Sequence, residues 1–278
     1  MKLLKVPKRK YFEEAEKNSE NILKNIKKSK LQDKYREYLA DFRGFKKNTL
    51  EESYMFYILD GGELDEIIES EVIRRDLNLQ IGEYIRNKER FVFPVLDQGG
   101  FIVAWIGYDY ESDLKYILSF PNYSKKELIL YNKQNIRNAY EEDICIVVEG
   151  HFDSLRLNEL GFYNNVALLG KRMTDFHVRI LDRFETVILI PDSDSQGKKA
   201  LDYWLKVLNN KKVVVNIKRD NIIKKIYKEG SIKEEDVEVK DIDDCLQIPD
   251  KKEKMYDLYS KIKRESINPF FKYKEYSL

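Results

Sequence analysis

Two stretches decide the fold. One is Ile144-Cys-Ile-Val-Val148 running into Glu149-Gly150-His151-Phe152-Asp153; the other is Thr186-Val-Ile-Leu-Ile190 running into Pro191-Asp192-Ser193-Asp194-Ser195-Gln196-Gly197. Each is a short, unbroken apolar run that ends in acids. An unbroken run, unlike an alternating one, marks a strand covered on both faces, as in a parallel sheet. Around these runs, residues 152–160 read as an amphipathic helix ending at Gly161, and Asn165-Val-Ala-Leu-Leu169 as a second strand. Helices follow over 174–183 and 197–209, and Lys212-Val-Val-Val-Asn-Ile217 reads as a fourth strand. Strand and helix alternating through short connections imply an α/β domain with a mainly parallel sheet.

In such sheets ligands bind at the carboxyl ends of the strands, which is where the acids fall. Asp192 and Asp194 lie two apart on an extended segment, so their carboxylates can point the same way, and Gly197 lets the chain turn tightly into the next helix. Carboxylates gathered at one edge repel one another unless a cation holds them, and hard oxygen donors with room for water and phosphate suit Mg²⁺ or Mn²⁺. Two such ions about 4 Å apart can steady both the attacking and the leaving oxygen of an in-line phosphoryl transfer. Each motif alone has a plainer reading: Glu-Gly as a turn, Asp-x-Asp as an Asx turn or helix N-cap. A calcium loop lacks its closing Glu, because Tyr203 holds the twelfth position.

Upstream the pattern differs. Apolar residues from Phe12 to Leu39 recur at three- and four-residue steps, predicting a helix over 11–40 that stops at Arg43-Gly44, and a second helical stretch spans 49–86, broken at Gly61-Gly62. Arg90-Phe-Val-Phe-Pro-Val-Leu96 and Phe101–Gly107 read as a hairpin across Asp97-Gln-Gly-Gly100. The expected organisation is a mainly helical region over 1–86, a basic hairpin-containing subdomain over 87–140, the α/β domain over 141–220, and a late acidic motif with a helical tail over 221–278.

Bulk composition narrows the function. The formal net charge is +1 although charged residues make up 36%, which excludes a simple polycationic coat for nucleic acid but leaves room for a local basic face. Residues 1–47 carry fifteen Lys/Arg against seven Asp/Glu, and residues 51–71 carry eight Asp/Glu and no Lys or Arg. Such blocks are solvated faces or, for the first, an arm against a phosphate backbone. Two cysteines and two histidines build neither a disulfide framework nor a local four-ligand zinc site, and Cys145 reads as a small core residue. No apolar stretch approaches membrane-spanning length and no signal peptide is evident, so a cytoplasmic protein is expected.

Glu149-Gly-x-x-Asp153 followed some forty residues later by Asp192-x-Asp194-x-x-Gly197 closely resembles the Toprim pattern shared by bacterial-type primases, type IA and type II topoisomerases and some nucleases. By that resemblance Glu149, Asp192 and Asp194 hold catalytic metals, with Asp153, Gly150 and Gly197 in support. The segment Lys88-Glu-Arg90-Phe-Val-Phe-Pro94 is similar to the Arg-x-Arg-x-x-Phe-Pro segment of the DnaG-like primases, including those of bacteriophages. Lys115-Tyr116-Ile-Leu-Ser119 and Tyr38-Leu39-x-x-x-Arg43-Gly44 resemble the family's Lys-Tyr-Leu-Asn-Ser and Tyr-Leu-x-x-Arg-Gly, and Lys126 before Leu130-Tyr131 matches its Lys before a Leu-Tyr pair. Lys240-Asp241-Ile-Asp243-Asp244 is similar to the late Asp-Pro-Asp, whose acids join the metal site. The resemblance covers roughly residues 35–250 and implies an α+β N-terminal subdomain before a Rossmann-like Toprim domain. It also implies that Lys88, Arg90, Lys115, Tyr116 and Lys126 contact nucleic acid and the incoming triphosphate. Lysines in these places are otherwise ordinary solvated surface residues.

The activity implied is synthesis of a short RNA primer on single-stranded DNA from ribonucleoside triphosphates, with Mg²⁺ or Mn²⁺ (two or more ions) and no zinc. Tyr108 stands where the family commonly has Arg, Leu118 replaces an Asn, Ile242 replaces the Pro between the late acids, and Lys171 follows Leu169-Gly170 where Thr or Ser is usual. The family's N-terminal zinc ribbon has no counterpart, so a separate zinc-module protein, a truncated chain or initiation with less sequence reading is implied, alongside a possible helicase partner. Competing readings are a Toprim nuclease, which has no need of the Lys88–Arg90 hairpin, and a non-catalytic accessory subunit, which has no need of the acids. A topoisomerase needs a tyrosine nucleophile on a separate domain and a gate that this length hardly provides.

Overall fold

In the computed structural model of the chain, the two deciding runs are adjacent strands at the centre of a parallel sheet. The structure describes residues 19–27, 31–58, 89–109, 111, 115–119, 129–136, 143–208, 213–218, 222–228, 231–237, 241–247, 249–265 and 273–277. The chain divides into two compact units, Met1–Gln134 and Asn135–Leu278.

The first unit contains helices α1 (19–27), α2 (Leu31–Arg43) and α3 (Lys47–Glu52) and an antiparallel sheet. Its strands are β1 (Phe56–Ile58), β2 (Arg90–Leu96), β3 (Ile102–Tyr108) and β4 (Tyr116–Ser119), in the order β1-β2-β3-β4. Ile22, Ile26, Phe56, Ile58, Val92 and Trp105 form a core between α1 and the sheet, with the Phe56 and Trp105 rings edge to face at 5.8 Å. The predicted turn holds the hairpin: Asp97 Oδ1 accepts from the amides of Gly99 and Phe101 at 2.8 and 3.0 Å. The predicted helix stop is also present. Gly44 takes φ 68°, and the Phe45 amide donates to the Ala40 carbonyl at 3.1 Å, a left-handed C-terminal cap.

Two helical expectations need correction. Of the single helix predicted over 11–40, residues 11–18 lie outside the described residues, and the described part forms two helices, since Arg36 Nη2 donates to the Ile26 carbonyl at 2.8 Å, groups that one straight helix holds about 15 Å apart along its axis. The helix predicted over 49–86 starts at Lys47 and ends at Glu52. Tyr54 then adopts a left-handed φ of 56°, and Phe56-Tyr-Ile58 pairs antiparallel with Arg90–Val92. Aromatic and β-branched residues favour that pairing, and the apolar spacing alone did not distinguish it from a helical face. Residues 59–86 lie outside the described residues.

The second unit is built on β5 (Ile144–Val148), α4 (His151–Glu159), β6 (Asn165–Ala167), α5 (Asp175–Leu181), β7 (Thr186–Ile190), α6 (Ser195–Val207) and β8 (Val213–Lys218). After these come β9 (Ile222–Lys228), β10 (Ser231–Val237), α7 (Ile242–Leu246), α8 (Pro249–Glu265) and β11 (Tyr273–Ser277). The sheet is parallel throughout, in the order β11-β8-β7-β5-β6. β5 and β7 are buried along their whole length, as unbroken apolar runs require. The stretch 221–278, expected to be a helical tail, holds α8 but also an antiparallel hairpin of β9 and β10 and a fifth sheet strand, β11. Tyr-Lys-Glu-Tyr-Ser carries too few apolar residues to announce an edge strand.

Candidate functional site

The chain passes from β5 to β6 on one side and then crosses to β7 on the other. The carboxyl edge between β5 and β7 is therefore the switch point at which open α/β sheets leave a crevice. Val148 and Ile190 are register partners, so the residues that follow them, Glu149 and Pro191-Asp192, emerge side by side. Glu149 Oε1 accepts the Asp192 amide at 3.0 Å. This bond fixes the Glu149 carboxylate against the second acidic loop, with one oxygen held by the main chain.

Gly150 is the N-cap of α4, and its amide donates to Asp153 Oδ2 at 3.0 Å. A Cβ on Gly150 would stand 2.9 Å from that oxygen, which accounts for glycine here. The other oxygen, Asp153 Oδ1, accepts the Asp243 amide at 3.2 Å. Asp153 thus ties the start of α4 to α7. Burial first, then the nearby carboxylates of Asp241, Asp192 and Asp243, hold the Asp153 carboxyl well above the usual carboxylate range, and the Asp243 amide partly offsets them. Four acids from three separate segments therefore share one electrostatic neighbourhood.

Asp194 is the N-cap of α6, its Oδ1 accepting from the amides of Gln196 and Gly197 at 2.9 and 2.7 Å. Asp241 does the same for α7, accepting the Asp244 amide at 2.9 Å. The capping reading of Asp-x-Asp therefore holds for Asp194. Gly197 is required by close approach more than by turning: a Cβ there would stand 2.9 Å from Asp192 Cα and run into the Asp192 carbonyl.

Asp243 differs from the other acids. It is fully buried, and its Oδ1 accepts from Arg156 Nε at 2.8 Å, while Arg156 Nη1 donates to Glu159 at 2.8 Å. Asp243 was expected as a metal ligand, and the structure gives one of its oxygens to this buried ion pair. Reading the sequence missed Arg156. The signal was a single cation within a helix whose neighbours Phe152, Leu155 and Leu157 are apolar, and all four are buried. Asp244, named earlier only as part of its motif, brings a carboxylate oxygen within 4.8 Å of those of Asp241 and Asp243.

The donors suit a hard divalent cation. They are all carboxylate oxygens, and burial together with the neighbouring carboxylates raises the Asp153 pKa, a field that a cation would offset. Asp153, Asp243 and Glu149 are buried while Asp192, Asp194 and Asp241 are partly exposed, so the latter three are the better placed to meet an ion from solvent.

In the first unit, Arg90 is 2% exposed, and among the described residues its Nε and Nη1 have no hydrogen-bond partner. Tyr108, where an Arg was expected, is buried, and its ring packs with those of Phe91 and Tyr116 at 6.3 and 5.1 Å. Lys115 and Tyr116 are exposed. Lys88 and Lys126 lie outside the described residues. No described helix is long and apolar enough to cross a membrane.

Residues 146–245 match the family described as Toprim-like. The DNA primase of Legionella pneumophila is 31% identical over 127 residues, which are 42% of this chain and 21% of that protein. The chain thus spans about a fifth of that relative's length. Among solved structures, the Aquifex aeolicus primase (zinc binding and RNA polymerase domains) superposes with a TM-score of 0.67 at 21% identity, covering 93% of this chain and 63% of that one. A DnaG primase catalytic domain bound to ssDNA gives a TM-score of 0.63 at 17% identity, covering 89% and 80%.

Proposed function

We propose, from the premise that this chain carries a Toprim-like domain within the fold of the DnaG-type primase catalytic core, that it synthesises short RNA primers on single-stranded DNA. One observation carries the reading: Glu149, Asp153, Asp192 and Asp241 converge at the switch point of the parallel sheet, with the Asp192 amide bonded to Glu149. The reaction is attack by the 3′-hydroxyl of a ribonucleotide on the α-phosphate of an incoming ribonucleoside triphosphate, with release of pyrophosphate. Divalent cations, Mg²⁺ or Mn²⁺, held by Glu149, Asp192, Asp194 and Asp241 would supply charge neutralisation around the reacting phosphate.

The chain's own groups do the positioning. Main-chain bonds fix Glu149 and Asp194, so little reorganisation is needed when charge develops. Asp153 holds the starts of α4 and α7 together. In the first unit, the buried guanidinium of Arg90 has nitrogens that a phosphate oxygen would satisfy, since a buried cation without acceptors is costly. Lys88, Lys115, Tyr116 and Lys126 are the further contacts to nucleic acid and triphosphate in the proposal. The bound ssDNA of one structural neighbour supports a single-stranded template. A zinc-module protein and a replicative helicase are the further partners proposed, in the cytoplasm, where template and nucleotides are found.

The test is to incubate the purified chain with single-stranded DNA, labelled ribonucleotides and Mg²⁺ or Mn²⁺, beside Asp192→Asn. RNA a few nucleotides to tens of nucleotides long from the wild type alone supports the reading. Cleavage of the DNA without RNA would replace it with a nuclease.

A further inference from the structure

The loop after β6 is held in an unusual way. Leu169 takes a left-handed φ of 54°, and its amide donates to the Glu149 carbonyl at 3.0 Å. Beyond it, the Lys171 and Met173 carbonyls accept from Trp204 Nε1 and the Tyr203 hydroxyl of α6, each at 2.9 Å. Two aromatic side chains of one helix therefore fix the main chain on both sides of Arg172. Between this loop and the first three turns of α6 lies an open pocket of about 460 Å³, lined by Lys171, Arg172, Gln196, Lys199, Ala200 and Tyr203.

The lining is selective. It holds three cations and no acid. Among the described residues, none of Lys171, Arg172 and Lys199 has an ion-pair partner. Tyr203 is 37% exposed although its hydroxyl is fixed, so the ring offers a face with little freedom left to lose. Separate cations beside an immobilised aromatic ring are the components of a single-strand track, where phosphates meet Lys and Arg and a base lies on the ring. The pocket opens to solvent instead of enclosing a small molecule, which favours a passing strand over a captured free nucleotide. Its position fits. Lys171 is two residues beyond Leu169, whose amide is bonded to Glu149, and Gln196 is two residues beyond Asp194.

We infer that this pocket binds the phosphate backbone of single-stranded nucleic acid beside the acidic centre, with Lys171, Arg172 and Lys199 on phosphates and Tyr203 against a base. The inference deepens the primase reading by placing part of the strand path, but strand binding is measurable without synthesis.

The experiment is fluorescence anisotropy of labelled dT20 with the full chain in EDTA, across a series of salt concentrations. The variants are Lys171→Gln/Arg172→Gln/Lys199→Gln, the charge-matched control Lys24→Gln/Lys34→Gln/Lys254→Gln at exposed positions, and Lys171→Arg/Lys199→Arg. Three lost phosphate contacts should lower the slope of log K against log salt by about 2 and weaken binding roughly tenfold or more at low salt. The control should change affinity by less than about threefold, and the arginine variant should retain wild-type affinity. A second arm measures metal-free ATP and tripolyphosphate. Equal losses in the pocket variant and the control would overturn the inference, as would loss of ATP binding with dT20 binding intact, which would make the pocket a nucleotide subsite. Thermal melts of all variants identify a folding defect, and the arginine variant then decides. Failure of RNA synthesis with this pattern of binding intact would count against the primase reading alone.

Discussion

Replacing Arg156 with alanine strands two buried carboxylates. Arg156 bridges Asp243 and Glu159 through two contacts of 2.8 Å, and the side chains of all three are nearly inaccessible. Glu159 lies in the last turn of α4, where fraying of the helix end gives its carboxylate a route to water. Asp243 cannot, because it is fully buried and its amide is engaged by Asp153. Removing one partner of a buried ion pair costs about 3–5 kcal/mol, mostly the penalty of the charge left behind. At roughly 3 °C per kcal/mol for a domain of this size, the midpoint should fall by about 10 °C or more. Differential scanning calorimetry or urea denaturation at pH 7 measures the loss. Two further results identify its cause. The gap from wild type should narrow near about pH 4, where a stranded carboxylate takes up a proton, and Arg156→Met/Asp243→Leu should recover most of the stability. A loss below about 1 kcal/mol, or one that does not change with pH, would refute the argument that Asp243 depends on Arg156 for its charge.

Four other outcomes are expected. Asp194→Ala should lose about 1 kcal/mol by deleting the cap of α6, whereas Asp194→Asn, which can still cap, should keep the melting temperature while impairing metal binding, measured by calorimetric titration with Mn²⁺. Gly197→Ala should destabilise by several kcal/mol, because the new methyl runs into the Asp192 main chain; a stable, active variant would contradict the observed packing. Asp153 has a folded-state pKa raised above its unfolded value of about 3.9. Its contribution to metal-free stability is therefore complete below that value and is lost as pH rises through the raised one, so Asp153→Asn should flatten the decline of metal-free stability above pH 4. Burial pushes the Cys145 thiol up, and Cys145 and Cys245 are both buried, so neither should react with a thiol reagent in the native state, while both should react in denaturant.

The central sheet and the acids at its edge were readable because unbroken apolar runs and the residues that end them are local signals. Ile144–Val148, Thr186–Ile190 and Arg90–Leu96 are strands with the expected bounds. What escaped was non-local. β1 is a strand because β2 comes back thirty-two residues later to pair with it, and β11 because β8 offers an edge. The role of Asp243 was hidden for the same reason: Arg156 lies 87 residues away in sequence, and only the packing of α7 on α4 makes the pair. The pocket beside α6 was visible merely as Lys171 in a place where a small hydroxyl residue was expected. Its other members, Arg172, Lys199 and Tyr203, come from two segments that meet only in the folded chain.

Asp194 and Asp241 each open a helix with a carboxylate oxygen that accepts main-chain amides. A carboxylate on a free side chain answers a ligand by rotating; one built into a helix start answers by pulling on the helix. Any load placed on Asp194 would thus be passed to α6, a rod of thirteen residues, and any load on Asp241 to the five-residue α7. For α6 that rod also carries Tyr203 and Trp204, which hold the loop of Lys171 and Arg172. On the proposed reading, filling the acidic centre and gripping a strand beside it would then be coupled through that one helix.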